Sequence, residues 1–190
     1  MPKGYISRWE TFSSAHRLHN PRLSDETNRK IFGKCNWPNG HGHNYKVQVT
    51  IKGPIDPQTG MVINISKLKV VLKQVIDTLD HQNIDKDIRY FNNDEIRRPS
   101  TAENIAVYIW LLVQKGLKSE CGSGDGDSNY EGGLGQNGNN SNGNGHNGSN
   151  STYNYDADAE LVEVRLYETE KNMTIFRGED IDDVDYIGLP

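Results

Sequence analysis

Residues 33–53, "GKCNWPNGHGHNYKVQVTIKG", end in a strand. Tyr45, Val47, Val49 and Ile51 fall on one face, and Lys46, Gln48 and Thr50 on the other, the alternation of a half-buried β-strand over 43–53. The period of two carries upstream, so His41 and His43 stand side by side on the same face as Tyr45 and extend a core-facing row. Two buried imidazoles without partners are costly. Either backbone groups in the Gly/Asn-rich turn satisfy them, or they hold a metal ion. Cys35, six residues before His41, is then either a further ligand or a group with a separate task.

A metal would need a third ligand. "FSSAHRL", residues 12–18, closes a first strand over 4–16 and offers His16, which an adjacent antiparallel strand would bring alongside the pair. His19 lies in the following loop and reads as a solvated surface residue. Three histidines with one open position form a catalytic zinc arrangement, whereas Cys35 as fourth ligand would close the site into a structural one.

The rest of the ordered sequence supplies a frame. "IDPQTG" (55–60) is turn chemistry. A helix capped by Ser66 runs to about Leu79, its stripe formed by Leu68, Val71, Leu72, Val75 and Ile76. "STAE" (100–103) fits a capping box opening a second helix through Ile105, Tyr108, Leu111 and Leu112. Val162, Val164 and Leu166 alternate as a third strand, with Glu168 continuing their inward row. "TEKN" (169–172) turns into a last strand, "MTIFRG". The order strand, strand, helix, helix, strand, strand predicts an α+β fold, a four-stranded antiparallel sheet with both helices on one face. Asp80 and His81 follow the first helix; by themselves they read as decoration of its C-terminus.

The chain of 190 residues has room for one domain with a real core. Aromatic content of 8% and a mean hydropathy of −0.78 say that part of the length is not core. That part is 119–158, nearly all Gly, Asn, Ser and Asp, which reads as a disordered insertion between 1–118 and 159–179. The acidic tail, residues 180–190 with Glu179 before it, holds five of the 26 acidic residues; without them 21 acids face 21 bases. A neutral body argues against nucleic-acid binding and leaves room for a local basic pocket for an anionic small molecule. No apolar run is long enough to span a membrane, and two cysteines make no disulfide framework, so a soluble cytoplasmic protein is expected.

Taken together, "FSSAHRL", "FGKCNWPNGHGHNY", "IDPQTGMVIN", "LDHQN", "STAENIAVYIW" and "YETEKN" resemble the 6-pyruvoyl-tetrahydropterin synthase family, in that family's order, over residues 5–117 and 160–179. The resemblance implies a ββααββ tunnelling-fold unit, whose trimers close sheets into a barrel and stack as a homohexamer. It implies the conversion of 7,8-dihydroneopterin triphosphate to 6-pyruvoyl-tetrahydropterin, with loss of triphosphate, in tetrahydrobiopterin biosynthesis. By motif it makes His16, His41 and His43 the ligands of one Zn2+ per subunit. It makes Cys35 the proton-transferring base, with Asp80 and His81 as its partners from a neighbouring subunit, at subunit interfaces. Glu168 becomes the pterin anchor, and Thr101 and Glu103 pocket residues.

The chemistry suits those residues. Protons must leave carbons bearing hydroxyls, and a thiol near pKa 8.5 is brought toward working pH by a nearby imidazolium or metal. A carboxylate such as Glu168 accepts two pterin N–H groups at once. Arg8, Arg17 and Lys34 lie near the motifs but read individually as solvated charge. Two alternatives stand beside this reading. One is the 6-carboxy-tetrahydropterin synthase of the queuosine pathway, where a shorter spacer usually separates cysteine and His-x-His. The other is a non-catalytic zinc-binding homologue, which would be expected to lose Cys35, Asp80 or His81.

Overall fold

The computed structural model describes residues 1–122 and 158–190; the insertion read over 119–158 lies outside the described residues except at its ends. Strand β1 (Lys3–His16) pairs antiparallel with β2 (His41–Pro54), β2 with β3 (Glu160–Tyr167), and β3 with β4 (Met173–Phe176), giving a sheet in chain order. Helix α2 (Ile65–Asp77) packs on β1 and on α4 (Ala102–Gly122), and α4 packs on β3 and β4, so both long helices cover one face. This is the α+β arrangement expected from the alternation.

Between the layers lies one apolar core. Phe12, Tyr45, Val47, Val49, Ile51, Val164 and Leu166 from the sheet meet Leu68, Val71, Leu72, Val75, Ile105, Ile109 and Leu112 from the helices. The period-two row of β2 and the i, i+3, i+4 stripe of α2 both bury as their patterns require. On the third strand the pattern slips. The register with β2 shifts between Thr50 and Ile51, so Val162 is an extra residue in the ladder and Leu161 takes the buried position. The expected row of Val162, Val164 and Leu166 is therefore Leu161, Val164 and Leu166.

Three local features differ from the sequence expectation. A helix α1 (Asp25–Phe32) followed by a 3-10 turn (Gly33–Asn36) stands between β1 and β2, and a one-turn helix α3 (Ile84–Asp87) follows α2. The order strand, strand, helix, helix, strand, strand is thus incomplete. Asn64, not Ser66, caps α2, its side chain accepting from the Ser66 N–H at 2.9 Å. The capping box of Ser100 and Glu103 does not form. Thr101 Oγ1 accepts from Asn104 N at 3.4 Å, Glu103 is exposed, and the Ser100 hydroxyl is buried without a partner. The buried Ser100 also presents its carbonyl to a histidine, described below.

The acidic tail is docked rather than free. Residues Asp183–Tyr186 form a 3-10 turn with a capping box of Asp182 and Asp185, and Leu189 packs against the core. Arg98, 9% exposed, ties this turn to the loop before α4: its guanidinium donates to the carbonyls of Tyr90, Val184 and Ile187 and stacks 4.2 Å above the Tyr90 ring. Arg98→Ala would leave three carbonyls without a charged donor, and is expected to cost about 3 kcal/mol. A shift in the urea midpoint, together with faster carboxypeptidase trimming of the tail, would register it; an unchanged midpoint would refute the tie.

Candidate metal centre and active site

The β1–β2 register sets His16 directly opposite His41, Ser14 opposite His43, and Phe12 opposite Tyr45. Cross-strand neighbours on one face lie about 5 Å apart, so three imidazoles converge at the end of the hairpin. Their ring centroids are 4.6, 5.2 and 4.9 Å apart, and one ligand nitrogen from each lies within 4.8 Å of the others. The chain reaches β2 through Gly40, whose φ of 68° and whose absent side chain are both required; a Cβ there would sit 2.6 Å from the His16 carbonyl oxygen.

His16 is fully buried, and its Nδ1 lies 2.8 Å from the Ser100 carbonyl. That contact fixes Nδ1 as the protonated nitrogen and leaves Nε2 with a lone pair aimed at the cluster. Nε2 of His16 lies 3.1 Å from Nε2 of His41, so two nitrogens face one another with no carboxylate between them. A shared proton or a cation resolves that confrontation, and an all-imidazole donor set with a backbone-held ring suits a divalent transition metal. The three histidines can form a metal site.

The electrostatics favour the ligand-competent form. Burial holds the imidazole of His16 below its ordinary range; the Ser100 carbonyl opposes this, while repulsion from His41 and His43 adds to it and Glu168 opposes. Burial also lowers His43, against Glu168. The buried Tyr45 hydroxyl, 3.5 Å from His16 Nε2, is pushed well up by burial and then by the charges of Glu168, Asp85 and Cys35. It remains a neutral phenol at the floor of the site.

Cys35 stands on the 3-10 turn, half-buried, a free thiol, and it does not join the convergent group. Its carbonyl accepts from Leu18 N at 2.9 Å, which ties the turn to the segment after His16. Glu168 ends the inward row just past β3, with Oε1 3.7 Å from His43 Nε2 and 3.8 Å from His16 Nε2. Thr101 immediately precedes α4 and Glu103 sits on its first turn, close in the chain to the Ser100 carbonyl that holds His16. His19, set aside from the sequence, hydrogen-bonds Asn36 through its ring at 3.1 Å.

Asp80 and His81 lie elsewhere. Residues 81–83 run along the outer edge of β1: His81 N donates to Ser13 O, Ala15 N donates to Gln82 O, and Ala15 bridges Asn83 in parallel. Asp80 accepts from the Ser13 backbone N–H at 2.8 Å and sits 2.9 Å from His81 Nδ1. The Ser13 N–H chiefly, and His81 after it, hold the Asp80 carboxyl below the usual range against some desolvation. His81 has a φ of 59°, rare for a residue with a side chain, and its ring is 83% exposed. The Asp80–His81 pair is assembled, with its imidazole turned to solvent along the outer edge of β1.

Fold and site define an antiparallel α+β domain whose first hairpin carries three convergent histidines with a thiol held apart from them. Comparison with known proteins then places the chain. Its residues 5–124 match the family described as 6-pyruvoyl tetrahydropterin synthase. The 6-pyruvoyl tetrahydrobiopterin synthase of Poecilia reticulata is 42% identical over 177 residues, 93% of this chain and 91% of that one. The protein of that name from Homo sapiens is 41% identical over 175 residues, 92% and 91% of the two chains. The solved structure of Caenorhabditis elegans 6-pyruvoyl tetrahydropterin synthase superposes with a TM-score of 0.68 at 34% identity, covering 94% of this chain and 97% of that one. The chain belongs to the 6-pyruvoyl tetrahydropterin synthase family.

One consequence is measurable without substrate. Where the folded values of His16 and His43 lie below 6.5, the unfolded chain binds protons that the folded chain does not. Stability of the metal-free protein should therefore fall as pH drops through about 6.5, and level off only below the depressed folded values. Adding a divalent metal at pH 7.5 should raise the melting temperature in wild type but not in His41→Ala. Melting curves with chelator at pH 8 and pH 6 test the first part, and a flat profile would contradict it.

Proposed function

We propose that the chain is a 6-pyruvoyl-tetrahydropterin synthase that converts 7,8-dihydroneopterin triphosphate to 6-pyruvoyl-tetrahydropterin in tetrahydrobiopterin biosynthesis. The observation that carries the reading is the division of labour in the hairpin: three imidazoles converge while the Cys35 thiol stays outside their group. A cysteine among the ligands would have closed the site, whereas this arrangement leaves a position for substrate and a free thiol beside it. Family membership and relatives above 40% identity over nine-tenths of the chain supply the substrate class.

The reaction needs no external oxidant. The C–O bond to triphosphate breaks, and the dihydropterin ring is reduced as the side-chain carbinols become carbonyls. His16, His41 and His43 would hold Zn2+, one per subunit, which supplies Lewis acidity toward the side-chain oxygens. Cys35, as thiolate, takes a proton from a carbinol carbon and returns it elsewhere on the same molecule. Glu168 accepts the pterin ring amide and amino N–H groups and so fixes which carbon faces the thiol. Thr101 and Glu103 are assigned to the rim of the pterin pocket.

Asp80 and His81 are assigned as the proton partners of a neighbouring subunit's Cys35. Their place along the outer edge of β1, outside the histidine cluster and with the His81 ring exposed, supports that assignment. The open face of the sheet also carries Tyr5 and Trp9, 65% and 57% exposed, as an oligomer's inner wall would. A homohexamer with sites between subunits, in the cytoplasm, completes the proposal. No helix among the described residues is long and apolar enough to cross a membrane.

Incubation with 7,8-dihydroneopterin triphosphate and mass analysis of the pterin product tests the activity. Release of acetaldehyde with a 6-carboxy product would instead mark the queuosine-pathway reaction. Cys35→Ala should bind metal with unchanged stoichiometry and lose turnover by about 100-fold or more. Full turnover in that variant would remove Cys35 from the base role.

A further inference from the structure

The turn that carries Cys35 borders a cavity of about 640 Å³ that the assignments above leave without an occupant. Arg17, Arg29 and Lys34 line it, together with Asn36 and Trp37, and Asp25 is the one acid in its wall. The three cations come from three elements. Arg17 follows the ligand His16 at the end of β1, Arg29 projects from the last turn of α1, and Lys34 precedes Cys35 in the 3-10 turn.

None of the three forms an ion pair with a carboxylate among the described residues. Arg17 is aimed by neutral groups: Nε donates to the Asn36 carbonyl at 2.9 Å and Nη2 to the Asn36 side-chain oxygen at 3.4 Å. Arg29 Nε donates only to the Asp25 carbonyl, at 3.2 Å. Arg8 behaves otherwise. It is paired to Glu10 at 2.5 Å on β1 and is not part of the wall. Unpaired cations converging on one concavity in a body of balanced charge mark a site for an extended anion.

We propose that this cavity seats the triphosphate of the substrate, with Arg17, Arg29 and Lys34 as its phosphate ligands. The inference rests on the proposed reaction and adds to it the residues that receive the leaving group. The cavity wall adjoins the site along the chain, Arg17 following His16 and Lys34 preceding Cys35, which gives the proposed order of groups along the substrate. The pterin lies toward Glu168, the hydroxyls at the histidines, and the phosphates beyond Cys35, between Arg17 and Lys34. As the elimination proceeds, the C–O bond to the terminal side-chain carbon breaks and its electron pair departs on the triphosphate. The proton lost from the adjacent carbon goes to the base. Charge growing on the leaving group is met by guanidinium and ammonium groups already in place.

Arg29 and Lys34 are exposed, so both can be neutralised without disturbing the core. In the metal-loaded, full-length protein, Arg29→Gln with Lys34→Gln should raise KM for 7,8-dihydroneopterin triphosphate about 10-fold or more. The inhibition constant of inorganic triphosphate should rise in parallel. Binding of 7,8-dihydroneopterin, which lacks phosphates, should stay within about twofold, and the melting temperature should not move. Unchanged KM and unchanged inhibition by triphosphate in an active enzyme would overturn the assignment. If the wild-type protein does not turn over the substrate, the proposed reaction fails. Calorimetry with inorganic triphosphate still decides on the cavity: a loss of affinity of about 10-fold in the double variant supports it, and equal affinity refutes it.

Discussion

The antiparallel register that sets Lys3 against Pro54 and His16 against His41 is the constraint on which the rest of the molecule depends. A slip of one residue would turn Tyr45, Val47, Val49 and Ile51 to solvent and their polar neighbours to the helices. The same slip would part His16 from the His-x-His pair. Core and site are therefore specified by a single alignment, and the apolar burial that holds the sheet against α2 and α4 also holds the imidazoles together. The histidine cluster needs no separate folding device beyond Gly40 to bring the chain over His16, and the Ser100 carbonyl to fix that ring.

Much of this was legible in the chain because it rests on periodicity. Alternation on β2 and the apolar stripe of α2 name the core, and parity alone places His41, His43 and Glu168 on the inward face. What escaped was what periodicity cannot carry. The bulge that exchanges Leu161 for Val162 is a change of register between two strands, invisible within either. The expected Ser100 cap is displaced by one residue, since the helix starts at Ala102 and Thr101 Oγ1 accepts from Asn104 N, while the Ser100 carbonyl meets a histidine 84 residues away. Helix α1 did have a signal: Ser24 accepts from Thr27 N, Asp25 and Glu26 fill the first turn, and Gly33 ends the helix. It is short and mostly exposed, so it showed little of the apolar stripe that betrays longer helices.

The polar ties join distant segments at the two ends of the site. Arg98 binds the acidic C-terminal turn to the loop that leads into Ser100, so the tail reaches the histidine cluster through two successive carbonyl contacts. On the other side, Arg17 binds Asn36, and the Asn36 side chain in turn donates to the Leu18 carbonyl at 2.7 Å. The turn bearing Cys35 is thereby fastened to the segment that follows His16. In the proposed reaction a thiol displaced by an ångström would lose its alignment with the substrate carbon, and these hydrogen bonds oppose such a displacement.

The separation of roles follows from chemistry as much as from geometry. A thiolate bound to a divalent metal is a poor base, because its electron pair is already engaged and its proton affinity lowered. Cys35 lies outside the convergent group, so in the proposed reaction its proton must be handled by a group other than the three histidines. Within one chain the only Asp–His pair of the described residues is Asp80 with His81, and its exposed ring sits in left-handed backbone at the outer edge of β1. Strained backbone of that kind persists where surroundings over-determine it, here through the Ser13 N–H and C=O. An isolated subunit would thus contain every group the proposed reaction needs, with the His81 ring left exposed to solvent. Association that brings one subunit's sheet edge to another's hairpin would complete the site, making catalysis a property of the assembly rather than of the fold.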